Sequence, residues 1–256
     1  MGLFDKKYCS ICGDKIGFVG GMLGIRDLTD GFLCKECAGK LSPFFSEKKH
    51  SSVEEIKEQL AYREENKKEV AAFHTTRVFG GHKKLYLDED ARKLMVTSAS
   101  KIAEANPDVI SFDRVTGCRL DIDESRSEEK QDGPDGKKVS FDPPHYTYSY
   151  DFVITITVDH PYFDTIRFTV NPSDVEINTV GTGLLTVLQA NDANYQENLK
   201  TGREICRILD RDYEERREQA EAANAPKTAV VCGACGATTM PDEHGCCEYC
   251  GSALYR

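Results

Sequence analysis

The chain has 256 residues, a formal net charge of −10, no Trp and eleven Cys. Hydrophobic residues make up 39% and charged residues 30%, which is lean in core-forming material and suits one medium domain with appendages or two to three small modules. No apolar run approaches the roughly 18 residues that a membrane-spanning helix needs, so an integral-membrane reading of that kind is excluded.

The start, MGLFDKKYCS, has no apolar segment of a secretory signal, and Lys6 stands where a myristoylation signal carries Ser or Thr. A cytosolic chain without a lipid anchor is expected. In a reducing compartment, cysteines at paired spacing read as metal ligands before disulfides. Cys9-x2-Cys12 is followed, after 21 residues, by Cys34-x2-Cys37. Two such short loops let four thiolates converge on one tetrahedral zinc at about 2.3 Å. Four cysteines close the coordination sphere, so the ion is expected to hold structure and not to do chemistry. A redox dithiol is the competing reading, but such motifs usually stand singly beside a βαβ pattern, and none is visible. Gly17, Gly20, Gly21 and Gly24 read as turns between short hairpin strands; no Gly-Lys-Ser/Thr follows them, which counts against a phosphate loop. The stretch from Leu33 to Leu41 reads as the start of a short helix with Cys34 and Cys37 in its first turn, limited by Pro43. A knuckle, a hairpin and a ligand-bearing helix make a treble-clef-type finger over residues 1–45.

The run CSICGDKIGFVGGMLGIRDLTDGFLCKECAGKLSPFF contains C-x2-C-G, a Gly-rich hairpin, a second C-x2-C after Asp-Gly-Phe-Leu, and a Leu-Ser-Pro-Phe-Phe tail. It resembles the N-terminal finger of an uncharacterised family of bacterial proteins, a domain of unknown function. The resemblance spans about 40 residues, includes Cys9, Cys12, Cys34 and Cys37, and implies a fold without an activity.

Residues 46–74 are expected to form a helical connector. Ser52 with Glu55 is a capping-box pattern, and Val53, Ile56, Leu60, Val70 and Phe73 recur at helical spacing, predicting a helix over 51–73 packed by an apolar stripe. From residue 76 the period falls to two. Tyr146, Tyr148, Tyr150, Phe152, Ile154, Ile156 and Val158 mark one long half-buried strand; Ile166, Phe168 and Val170 mark a second after the His160–Phe163 connection. Cys118, Leu120 and Ile122 form another alternating set, and short strands are predicted at Lys84–Asp88 and Lys93–Thr97. Residues 121–137 hold seven acids without EF-hand spacing and read as a solvated hairpin loop. A long helix is predicted from Asp192 to Ala223 on an apolar stripe of Tyr195, Leu199, Cys206, Leu209 and Tyr213, supplemented by Ile205 and Ile208. Leu199, Ile205 and Leu209 face the sheet, the last turns are charged all round, and a linker follows at 224–227.

The last module, 224–256, repeats the cysteine pattern: Cys232-x2-Cys235, 11 residues, Cys247-x2-Cys250. Its short spacer suits a zinc ribbon. Cys246 and His244 are competing ligands; Cys247 is preferred because Cys247–Gly251 repeats the spacing and trailing Gly of Cys232–Gly236. Gly13, Gly236 and Gly251 each follow a pair where a tight turn favours positive φ. Two tetrathiolate zinc sites would take the formal charge from −10 to about −14, with Lys6, Lys7, Lys15, Lys35 and Lys40 offsetting the first.

Strands followed by one long helix, over about 75–222, are similar to the pleckstrin-homology-like architecture of bacterial proteins. The predicted class is α+β: a PH-like curved antiparallel sheet or partial barrel with a capping C-terminal helix over 75–223, flanked by two small zinc-binding modules. No catalytic constellation is evident. His74, His82, His145 and His160 read as surface or turn residues, and Cys118 and Cys206 as core thiols. The expected function is therefore that of a non-enzymatic protein-interaction adaptor with two structural zinc ions and a protein partner. Nucleic-acid binding is the alternative. Residues 1–50 carry eight Lys/Arg against six Asp/Glu, but residues 51–191 carry 17 against 25, which opposes phosphate or phosphoinositide binding. An active site assembled from distant residues is a second alternative. If the modules are independent, Cys34→Ser unfolds only the first.

Overall fold

Strands β1 (Arg26–Asp27) and β2 (Phe32–Leu33) pair antiparallel around a Thr29-Asp30-Gly31 turn. A side chain on Gly31 would collide with Ser10 and with Val53, so the turn closes onto the rest of the finger only because Gly31 is bare. Helix α1 (Lys35–Gly39) follows directly. Helix α2 (Val53–Ala72) starts at Ser52, whose hydroxyl accepts from the Glu55 N–H while the Glu55 carboxylate accepts from the Ser52 N–H, the predicted capping box. Asp30 adds a third acceptor, taking the Val53 N–H at 2.7 Å, so the β1–β2 turn is tied to the start of α2. The finger's core is Cys9, Leu28, Leu33, Cys37, Leu41, Phe45 and Ile56, the last contributed by α2.

The computed structural model describes residues 7–16, 26–45, 50–181, 183–210, 230–240 and 245–254. The predicted turns at Gly17–Gly24, the helix beyond residue 210, the linker and His244 lie outside them. The chain divides into two units, Met1–Arg211 and Asp212–Arg256.

In the first unit, β3 (Arg77–Phe79), β4 (Lys84–Asp88), β5 (Lys93–Thr97) and β6 (Ile110–Ser111) form an antiparallel meander. Helix α3 (Ile102–Ala105) ends in Asn106, held at φ 48°. A 3₁₀ turn at Phe112–Arg114 leads into β7 (Val115–Asp132), β8 (Lys138–Val158), β9 (Thr165–Thr169) and β10 (Val175–Val180). β7 lies on one side of β8, while β9 and β10 share the other side end to end, β9 against Val153–Thr157 and β10 against His145–Tyr150. Asn171 fills the gap between them. Its carbonyl takes the Phe152 N–H at 2.8 Å and its amide donates to the Tyr150 and Ser173 carbonyls, replacing the missing ladder bonds. The two sheets are separate ladders, and neither closes into a barrel.

Helices α4 (Leu185–Asn191) and α5 (Ala193–Leu209) complete this unit. Asp192 caps α5 through the Tyr195 N–H. Tyr195 meets Tyr150 and Phe152 edge-on, each with centroids 5.1 Å apart, which lays α5 across the second sheet. Ile205 and Leu209 are buried as expected, whereas Leu199 is only half-buried; Tyr195, Gly202 and Cys206 make up the contact. Among the described residues no helix is long and apolar enough to cross a membrane.

Two expectations need correction. Residues 121–132 are strand, and the loop shrinks to Gly133–Lys137. This arm is exposed on both faces, so its sequence has no alternation; backbone pairing with β8 holds it, joined by surface contacts such as Asp123–Arg167 and Arg126 over the Tyr146 ring. Between the pairs Glu129↔His145 and Lys130↔Ser140, residues 141–144 loop out of β8; Pro143 and Pro144 have no N–H to lose. The second correction concerns α2. Its buried face is Ile56, Gln59, Arg63 and Asn66, largely polar, with Leu60 and Val70 at its edges.

A network engages Arg63 and Asn66, whereas the buried Gln59 amide has no hydrogen-bond partner among the described residues. Arg63 donates to the Asp108 carboxylate at 2.7 Å, to the Lys40 carbonyl at 3.2 Å and to the Asn106 carbonyl. Ser42 donates to the other Asp108 oxygen at 2.8 Å. Asn66 donates to Asn106 and to the Pro107 carbonyl, and accepts from Val109 N–H at 3.0 Å. The Arg63 and Asp108 side chains are 6% and 0% exposed, so neither charge has water to fall back on. The network joins the end of the finger, α2 and the lead-in to β6. Arg63→Met should lower unfolding free energy by about 3–5 kcal/mol, measured by urea titration, because it strands the Asp108 charge. Replacing both partners with apolar residues should cost less than Arg63→Met alone.

Candidate metal centres

Three of the four Cys-x2-Cys pairs fold into the same backbone loop. In each, the Gly after the second Cys donates its N–H to the carbonyl of the first Cys: Gly13 to Cys9 at 2.9 Å, Gly236 to Cys232 at 2.8 Å and Gly251 to Cys247 at 2.7 Å. The first Cys N–H returns to the residue after the Gly, namely Asp14, Ala237 and Ser252, at 2.8–2.9 Å. The three glycines have φ of 77°, 73° and 69°, the left-handed region that a side chain disfavours. Both sulfurs of each pair are thereby presented on one side of the turn. The fourth pair is built on a helix start. Cys34 is the N-cap of α1, its Sγ accepts from the Cys37 N–H at 3.4 Å, and its own N–H points to Cys9 Sγ at 3.4 Å.

The eight sulfurs gather into two quartets, Cys9/Cys12/Cys34/Cys37 and Cys232/Cys235/Cys247/Cys250, each with all Sγ atoms within 4.8 Å of one another. Across the pairs, Cys12 and Cys34 are 3.8 Å apart, Cys232 and Cys250 3.6 Å, and Cys235 and Cys247 3.7 Å. A tetrahedron with metal–sulfur bonds of about 2.3 Å has edges of about 3.8 Å. Disulfide bonding, at about 2.05 Å, would put the sulfurs far closer. The donor sets therefore fit a closed tetrathiolate ion, and zinc is the metal this chemistry favours. Cys246 forms an isolated bridge with Ala253 and lies outside the quartet.

The thiol acidities describe what such an ion has to displace. Burial raises Cys9, but the N–H groups of Cys12, Cys34 and Ile11 outweigh it and bring the thiol down to about 6. Cys250 is drawn down to about 6 by the Ser252 hydroxyl and N–H. Cys37 is pushed above its ordinary range by burial and by neighbouring sulfurs. Cys12 rises to about 11: the Asp14 N–H pulls it down, while burial, the Asp14 carboxylate and Cys9 push harder. Cys235 rises to about 12, with the Cys250 sulfur prevailing over the Ala237 N–H. Cys9 and Cys250 are thus drawn toward the thiolate, while Cys12, Cys37 and Cys235 hold their protons more tightly, a load a divalent cation releases.

Other candidate residues take structural places. Cys118 on β7 and Cys206 on α5 meet in the core. His160 bonds the Tyr62 hydroxyl at 2.9 Å and stacks on Phe163 at 4.0 Å, and its burial lowers its basicity. It helps fasten the β8–β9 connection to α2. A cavity of about 440 Å³ lies beside Ser42, Phe44, Lys83 and Thr97, with Arg63 in its wall already engaged by Asp108. The polar trio Gln59, Arg63 and Asn66 was the signal that apolar periodicity passes over, since it has helical spacing without hydrophobicity.

Residues 7–59 match the model of a family described as a domain of unknown function, DUF4428. The match includes the first quartet, β1, β2 and α1, and it runs through Ile56, the α2 residue that enters the finger's core. No curated protein and no solved structure matches the chain.

Sulfur ligands are more acidic when metal-bound than when free, so the bound state is favoured at high pH and lost as pH falls. Acidification well below about 6, where even the most acidic free thiols, Cys9 and Cys250, are protonated, should release metal from both quartets, followed with a chromogenic chelator. Among the described residues the only buried ones of the second unit are Cys232, Thr239 and Cys247. Chelation at neutral pH should therefore unfold residues 230–254 fully, while amide exchange shows α2 and the sheets of the first unit still protected.

Proposed function

We propose that the protein is a non-enzymatic, cytoplasmic adaptor in which two structural zinc ions, on Cys9, Cys12, Cys34 and Cys37 and on Cys232, Cys235, Cys247 and Cys250, hold small surfaces for a protein partner. One observation carries this reading. In the second unit Val231, Met240 and Tyr249 are 69%, 55% and 72% exposed, on a scaffold whose interior is mostly sulfur. A fold this small spends its large apolar and aromatic side chains outward only where something else covers them. Four sulfurs per site leave no open coordination position for a substrate, which supports a structural use of the metal. In this reading residues 7–45 are a treble-clef finger and residues 230–254 a zinc ribbon. The succession of β3–β6, then β7–β10, then α5 supports a pleckstrin-homology-like middle domain, although the strands do not close. The acidic balance of residues 51–191 favours a protein partner over a nucleic acid.

Metal analysis of gently purified full-length chain should give two zinc equivalents. Cys34→Ser and Cys250→Ser should each remove one. Affinity capture with the tagged chain should retain a protein partner in high salt, and Met240→Ala with Tyr249→Ala should abolish that retention with both zinc ions kept. Retention of oligonucleotides that collapses with salt, or capture indifferent to those two substitutions, would overturn the reading.

A further inference from the structure

Gly202 sets how near α5 comes to β7. A Cβ at this position would sit 2.6 Å from Leu120 Cδ1, so the helix touches the strand through its bare backbone. Four residues along a helix advance about 6 Å, and two along a strand about 6.6 Å. The contact Gly202/Leu120 is therefore repeated one turn later by Cys206 opposite Cys118. Their Sγ atoms are 2.9 Å apart. In the metal quartets unbonded sulfurs stand 3.6–3.8 Å apart, and a disulfide bond is about 2.05 Å. One further turn along, the Asp210 carboxylate accepts the Cys118 N–H at 3.1 Å and holds the strand in place. Cys118, on an edge strand, is 7% exposed, while Cys206 is fully buried.

We propose that Cys118 and Cys206 are an oxidisable dithiol whose disulfide latches α5 onto β7, with hydroperoxides as the oxidant. The Cys118 sulfur, the more accessible, attacks the terminal peroxide oxygen; the O–O bond breaks, the alcohol or water leaves, and a sulfenic acid remains. The Cys206 sulfur then attacks Cys118, the S–S bond forms, the S–O bond breaks and water leaves. Two thiols have lost two electrons and two hydrogens, and one peroxide has been reduced. Small dithiols reopen the latch by thiol–disulfide exchange, returning Cys118 and Cys206 to thiols and becoming disulfides themselves. Neither sulfur belongs to a metal quartet, so the latch closes without cost to the zinc sites.

The test uses zinc-loaded full-length chain, titrated with hydrogen peroxide, alkylated in denaturant and digested with trypsin without reductant. A cross-linked pair of peptides, residues 115–119 joined to 204–207, should appear at doses that leave both zinc ions bound. The thermal midpoint of the first unit should rise by roughly 5–10 °C. Denatured chain given the same dose should yield at least tenfold less of the pair, and Gly202→Ala, which pushes the helix away, should also yield less while keeping its helical circular dichroism. Cys206→Ala should fold and lose the peroxide-dependent rise. If both peptides remain fully alkylated until zinc is ejected, or if the denatured chain cross-links equally well, the latch does not exist.

Discussion

A single guanidinium organises the first unit. Arg63 reaches the last turn of the finger at Lys40, the left-handed Asn106 that ends α3, and Asp108 beside it, and Asp108 also takes the Ser42 hydroxyl. Burying both charges is tolerable because all three guanidinium nitrogens and both carboxylate oxygens have partners, and this makes the arrangement exacting. Shift the finger against α2 and Lys40 and Ser42 leave; shift the first sheet and Asn106 and Asp108 leave. Hydrophobic contact alone would tolerate sliding of the short α1 and the small meander on α2, whereas a network of fixed directions does not. The finger and the first sheet are thus located relative to one helix by polar geometry.

The two sulfur quartets share a geometry but not a role in stability. The first sits on Leu28, Leu33, Leu41, Phe45 and Ile56, so an apolar core works alongside the metal. Among its described residues the second has nothing buried except two of its own cysteines and Thr239. Its folding free energy must come from metal–thiolate bonds, for which structural zinc sites supply about 10–16 kcal/mol. The same loop, with the same left-handed Gly, therefore serves once as reinforcement and once as the whole interior. Val231, Met240 and Tyr249 lie outside that interior.

The second sheet shows how a long hairpin is completed. β8 runs for 21 residues, longer than either β9 or β10, and two short strands share its free side. Asn171, Gly202 and Cys206 do the joining, the first by imitating backbone and the other two by letting α5 come close. Asn171 and Gly202 belong to no periodic pattern, while Cys206 lies on the apolar stripe of α5. Each matters because of what lies opposite it.

What could be read from the chain alone were features whose cause is local. The Cys-x2-Cys-Gly loops close within six residues, the Ser52–Glu55 box caps its own helix, and the alternation from Tyr146 to Val158 reports one strand with one covered face. The arm at 121–132 was misread because a strand with two wet faces has no alternation to show. The polar face of α2 escaped because burial of Arg63 and Asn66 depends on hydrogen-bond partners some 40 residues away, at 106–109. Sequence spacing determines which sulfurs can share a local turn. Tertiary structure alone decided which pairs of turns face each other, which helix supports the finger, and that Cys118 meets Cys206, because those distances are set by the packing of elements far apart in the chain.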